Sequence, residues 1–140
     1  MPDPTSDRFV VQDVMFRYAA GVDTRNRELY SSAFTEDVVC SGYADGEVFH
    51  GRDAWVTWVW KALERFGPTQ HLVANQVVEL RGDEATMRTY VQATHILTID
   101  AKTTLTLWAT YHDELIRDGA LWRIRNHRLA PAATQTLTSA

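Results

Sequence analysis

The chain has 140 residues, 45% of them hydrophobic, and a formal net charge of −4, which fits one domain able to bury a core. Its scattered basic residues argue against a nucleic-acid partner, and no apolar run approaches the roughly 20 residues of a membrane span. The start MPDPTSD shows no signal-peptide pattern, and the single Cys40 rules out an internal disulfide, so a reduced, cytoplasmic protein is expected.

Residues 7–20 read as a helix, with Val10, Val11, Val14, Met15, Tyr18 and Ala19 on one stripe. Ser6 or Asp7 could cap its start, and Gly21 fits its stop. A short helix is expected over Arg27–Phe34. Strands over 37–43 and 46–50 flank the turn Ala44-Asp45-Gly46. RDAWVTWVWKALERF, residues 52–66, gives a third helix ended by Gly67-Pro68. Strands follow at about 69–80, 84–99, 103–117 and 120–130, separated by turns at 81–84, 100–103 and 117–120. Short turns between long strands imply antiparallel hairpins. The ends, 1–6 and 131–140, read as loose. The whole is one α+β domain with three N-terminal helices on one face of a sheet.

Counting outward from centred turns predicts the strand register. His71 then faces Thr94, Asn75 faces Tyr90, and Gln92 faces Tyr111. Tyr111 in turn faces Asn126, and Asp113 faces Ile124. One face collects His71, Asn75, Tyr90, Gln92, Thr94, Tyr111, Asp113, Asn126 and Arg128. The other carries Leu72, Ala74, Val78, Leu80, Met87, Val91, Ala93, His95, Trp108, Thr110 and His112. This pattern allows a polar-lined cavity under the helices or an amphipathic sheet with its wet face outside. No HxxxH or CxxC pair, phosphate loop or dinucleotide fingerprint occurs.

YAAGVDTRNRELYSSAFTEDV resembles the opening of the SnoaL-like family of the nuclear transport factor two-like superfamily. Tyr18, Asp23, Phe34 and Glu36-Asp37 carry the likeness. TQHLVANQVVELRGDEA resembles the family's His…Asn strand, and YHDELIRDGALWRIRNHR its closing hairpin. The resemblance spans about residues 9–130. It implies a cone: a curved antiparallel or mixed sheet wrapped around a hydrophobic pocket and capped by the helices. It also implies activity without metal or organic cofactor, a small hydrophobic substrate, and assembly as a homodimer or trimer. Scytalone dehydratase, bile-acid 7α-dehydratase, ketosteroid isomerase and polyketide cyclases belong to this superfamily. The Tyr18–Asp23–His71 spacing looks most like the dehydratases. Thr94 stands where the bile-acid enzyme uses a second acid. Asn26 replaces an aspartate common in the family. His95 lies near a second histidine of the scytalone enzyme, yet the register turns it to the opposite face.

The resemblance and the chemistry together assign His71 as base and acid, Asp23 as its partner and Tyr18 as donor to an enolate oxygen. Trp55, Trp58, Tyr90 and Tyr111 would wall in a cyclic substrate such as a steroid, terpenoid or polyketide. Gln92, Thr94, Asn126 and Arg128 complete the expected binding set, with Arg128 suited to an anionic group. Each has a structural reading too: Tyr18 as core, Asp23 as a helix cap, His71 as a strand end, and the tryptophans as packing. The leading function is a cofactor-independent dehydratase-type lyase or isomerase. The alternatives are a ketosteroid isomerase or polyketide cyclase, and a non-catalytic ring-hydroxylating dioxygenase β-type subunit or small-ligand-binding protein.

Overall fold

A computed structural model describes residues 3–140. Helix α1 spans Pro4–Asp23, α2 Arg27–Ser31 and α3 Arg52–Leu63. The strands are β1 Phe34–Ser41, β2 Val48–His50, β3 Phe66–Arg81, β4 Glu84–Leu97, β5 Thr103–Asp118 and β6 Leu121–Thr138. They form one sheet in the order β2-β1-β6-β5-β4-β3. Every pairing is antiparallel except β1 with β6. The α+β class, the mixed sheet and the helical cover therefore stand as the sequence implies.

The helix α1 starts earlier than its apolar stripe. Asp3, not Ser6 or Asp7, caps it, accepting from the Thr5 amide at 3.1 Å, and Pro4 occupies the first turn, where its missing N–H costs nothing. Gly21 does not stop the helix; it lets α2 cross. A Cβ there would lie 2.5 Å from the Tyr30 amide nitrogen. Both expected loose ends are corrected where they can be seen. Pro4–Ser6 lie within α1, with Met1 and Pro2 outside the described residues. Pro131–Thr138 continue β6, pairing with β5 from Ala109 back to Thr103.

The core lies between the helices and one sheet face. Val11, Val14, Met15, Tyr30, Phe34, Trp55, Trp122 and Ile124 are all fully or almost fully buried. Burying a large apolar side chain contributes about 1.5–3 kcal/mol, so this seam anchors the cover to the sheet.

The register departs from simple counting, and three irregularities explain why. In β3 a bulge falls between Ala74 and Val77, with Asn75 at φ 53°. The β4–β5 turn is centred on Asp100 rather than between Ala101 and Lys102, because β4 ends at Leu97. In β6 a second bulge separates Ile124 from Asn126. Each shift by an odd number exchanges the two faces. His71 pairs with Ala93, not Thr94; Tyr111 pairs with Leu129, not Asn126; and Asp113 pairs with His127, not Ile124.

Candidate active site

The cavity has a volume of about 350 Å³ and is lined by residues of α1, α3, the start of β3 and the late part of β6, among others. Trp58, Val59, Leu63, Phe66, Leu105, Leu107 and Leu129 supply its apolar wall. Tyr18, Tyr43, Tyr111, His71 and His95 supply its polar points.

Asp23 is the last residue of α1, and its carboxylate reaches the first part of β3. One oxygen accepts from His71 Nδ1 at 2.7 Å and from the Thr69 hydroxyl at 3.0 Å. The other accepts from the His71 backbone amide at 2.7 Å. Burial pushes the Asp23 carboxyl upward, but these bonds and the His71 charge outweigh it and hold it below its ordinary value. Arg25 buttresses the pair, donating to the Thr69 hydroxyl at 2.9 Å, the Gly67 carbonyl at 2.6 Å and the Val22 carbonyl at 2.7 Å. With Nδ1 turned to Asp23, Nε2 is the ring nitrogen left to take or give a proton.

Tyr18 stands beside this pair, its ring 6.3 Å from that of His71 between centroids. Its hydroxyl meets that of Tyr43 at 2.9 Å. Burial raises the phenols of Tyr18, Tyr43 and Tyr111 well above their ordinary value. They therefore stay protonated and serve as hydrogen-bond groups. His95 packs edge-on to His71 at 5.6 Å and against Phe66 at 4.6 Å. Burial first, then the neighbouring His71, lowers its pKa to about 4, so it is neutral at neutral pH.

The structure thus brings Tyr18, Asp23 and His71 together, with Trp58 and Tyr111 on the same cavity. The other expected binding residues are elsewhere. Trp55 is fully buried behind the wall, stacked on Trp58 at 5.5 Å and 18°. Tyr90 and Gln92 face outward into a groove with Leu72 and Trp108. Thr94 also points outward and meets the Thr106 hydroxyl at 3.2 Å. Asn126 and Arg128 line a charged groove on the outer face with Glu79 and Arg88. Asn75 is the bulge residue, with φ 53°, and lines the same outer groove as Tyr90 and Gln92. Conversely, Tyr43, His95 and Arg25 join the site without having been expected there.

Among the described residues, no cluster of three or more His, Cys, Asp or Glu suited to a metal ion occurs, and no helix is long and apolar enough to cross a membrane.

The sequence model of the SnoaL-like domain matches residues 3–128. The chain belongs to the SnoaL-like family. An uncharacterized protein of Mycobacterium tuberculosis, Rv2910c, is 25% identical over 119 residues, covering 85% of this chain and 81% of that protein. Among solved structures, a provisionally assigned scytalone dehydratase from Novosphingobium aromaticivorans superposes with a TM-score of 0.87 at 23% identity, covering 97% of this chain and 91% of that one. A provisionally assigned aromatic ring hydroxylase from the same organism gives 0.86 at 24%, covering 97% and 96%. Hexachlorocyclohexane dehydrochlorinase LinA-type3 from Novosphingobium barchaimii gives 0.84 at 17%, covering 97% and 93%. At these identities the superpositions establish a shared fold.

Proposed function

We propose that the protein is a cofactor-independent lyase or isomerase that moves a proton on a hydrophobic cyclic substrate, with dehydration as its leading reaction. The observation that carries this reading is the 2.7 Å Asp23–His71 pair on the wall of an apolar cavity. His71 Nε2 takes a proton from carbon beside a carbonyl. Asp23 steadies the imidazolium, and a tyrosine hydroxyl receives the developing enolate oxygen. The electron pair of the broken C–H bond forms the new double bond, and the leaving hydroxyl departs with the proton returned by His71. Return of that proton to a second carbon instead gives isomerisation. The fold shared with proteins described as a scytalone dehydratase and a dehydrochlorinase supports elimination chemistry. The rival is a non-catalytic reading, in which the same apolar cavity only binds a small ligand.

The test is incubation with cyclic β-hydroxyketones and unsaturated ketones in deuterated water, followed by mass spectrometry. The enzyme reading expects deuterium uptake or loss of water, falling about 10²-fold or more in His71→Ala. Binding of these ketones without either change would favour the binding protein.

The same reading extends to a homodimer or trimer. Leu72, Val77 and Tyr90 are about half exposed on the outer sheet face, an apolar patch suited to a second copy. Sedimentation equilibrium with Leu72→Glu as the disrupting variant tests it.

A further inference from the structure

Behind the cavity wall lies a polar pair that the proposed reaction leaves unused. Asp113 on β5 and His127 on β6 face each other across the ladder, with His127 Nδ1 2.5 Å from Asp113 Oδ1. Both side chains are fully buried, and neither lines the cavity. His127 is ringed by aromatic groups: Tyr111 at 4.8 Å, Tyr18 at 5.4 Å and a stacked Tyr43 at 5.6 Å. Its Nε2 lies 2.6 Å from the Tyr43 hydroxyl, and Tyr43 meets Tyr18. A chain of hydrogen bonds therefore runs Asp113–His127–Tyr43–Tyr18 from the dry interior to the pocket.

Charge and hydrogen counting give this chain a direction. Asp113 Oδ2 is buried without a hydrogen-bond partner, and among the described residues no lysine or arginine pairs with Asp113. A buried net negative charge is expensive, so the pair is favoured in a neutral state. A hydrogen on Asp113 Oδ2 would find no acceptor, so two neutral arrangements remain: carboxylate with imidazolium, and carboxylic acid donating through Oδ1 to the imidazole. Both place a hydrogen on Nε2. His127 then donates to the Tyr43 oxygen. Three hydrogens, on Nε2, Tyr43 and Tyr18, serve two bonds, and one is left for the cavity. Were Nε2 bare, both tyrosine hydrogens would be consumed, and the wall would present only acceptors.

We propose that Asp113 and His127 are positioning residues that act through Tyr43, so that the tyrosine wall presents one polarised hydrogen to a carbonyl or anionic oxygen of the ligand. This rests on the reading that the tyrosines hold the substrate oxygen. Each bond in the chain strengthens the next in a dry interior. The outward hydrogen is thereby a better donor to developing negative charge than a lone phenol would be.

Two measurements test it, and neither uses His71 or turnover. The first is nitrogen-15 NMR of histidine-labelled native protein at neutral pH. A slowly exchanging hydrogen on His127 Nε2 is expected; a bare Nε2 overturns the proposal. The second is binding of 4-nitrophenol, followed through its phenolate absorption, against nitrobenzene, which lacks the phenolic oxygen. In the double variant Asp113→Leu with His127→Phe, phenolate affinity should fall about tenfold or more while nitrobenzene affinity holds. Tyr43→Phe, which keeps the ring and cuts the chain, should produce the same loss. Adding it to the double variant should produce no more. Equal losses for both ligands, or unchanged phenolate binding in Tyr43→Phe, would make the pair structural. Absence of deuterium uptake and of water loss in the native protein would sink the proton-transfer reading and leave both of these readouts standing, so the two failures remain separable.

Discussion

His71 does not hold its orientation alone. Asp23 grips both its ring and its backbone amide, so one carboxylate fixes the tautomer and ties α1 to β3. Asp23→Asn should therefore lower turnover about 10²- to 10⁴-fold and cost about 1–3 kcal/mol at neutral pH. The stability part has a defined pH sense. The folded carboxyl titrates below its ordinary value. Its contribution is complete above the unfolded pKa and disappears as pH falls through the folded one. Urea midpoints for the native protein and Asp23→Asn should converge in acid. His95 also destabilises the fold in acid, though by a different route. Its folded pKa, about 4, lies below the roughly 6.5 of a free histidine. Between those values the unfolded chain binds more protons, so stability falls as pH falls across that window. His95→Phe should lose less stability over that range, and the native His95 NMR signal should titrate near 4.

Two bulges decide which side chains reach the site. In β3, Val73 and Val78 both face inward, five positions apart, whereas an unbroken strand puts only even separations on one face. In β6, Trp122 and Ile124 share a phase that His127 and Leu129 break. Those phase breaks are present in the sequence, and they are the signal that would have turned His127 inward and Asn126 and Arg128 outward. Counting from turns misses them because a bulge adds a residue without leaving a turn residue behind. The helices, the hairpins and the Tyr18–Asp23–His71 group were legible, since they depend on apolar periodicity, glycine turns and family motifs. Tyr43 and His95 were not legible as site residues, since they depend on a loop's path and on the register. Asn75 makes the bulge testable. At φ 53° asparagine is tolerated, and glycine should serve as well, while a β-branched residue is strained. Asn75→Gly should stay within about 0.5 kcal/mol of the native protein. Asn75→Val should cost about 1–2 kcal/mol and lower activity further by loosening the turn of strand that presents His71. Chemical denaturation and turnover on the same preparations check both.

At the scale of the whole molecule, the last strand both completes the sheet and closes the cavity. PAATQTLT is small and polar, so its composition suggests a free end. Yet Leu105 pairs with Thr136, Leu107 with Thr134 and Thr103 with Thr138. Threonine is a good strand former, and Pro131 sits at a register shift beside Ala109, where its missing N–H is tolerated. Pro131 and Thr134 also line the cavity together with Leu105 and Leu107. Truncation after Ala130 should therefore expose those leucines and open one wall at once. Loss of part of their burial predicts a cost of about 2–4 kcal/mol, together with weaker binding of any pocket ligand. Removal of Ser139 and Ala140 alone should cost less than about 0.5 kcal/mol. Hydrogen exchange on the intact chain provides the direct check: amides within residues 132–138 that bond to β5 should be protected well beyond those of a free tail. Rapid exchange there would mean that the wall opens in solution, and ligand affinity should then be insensitive to the truncation.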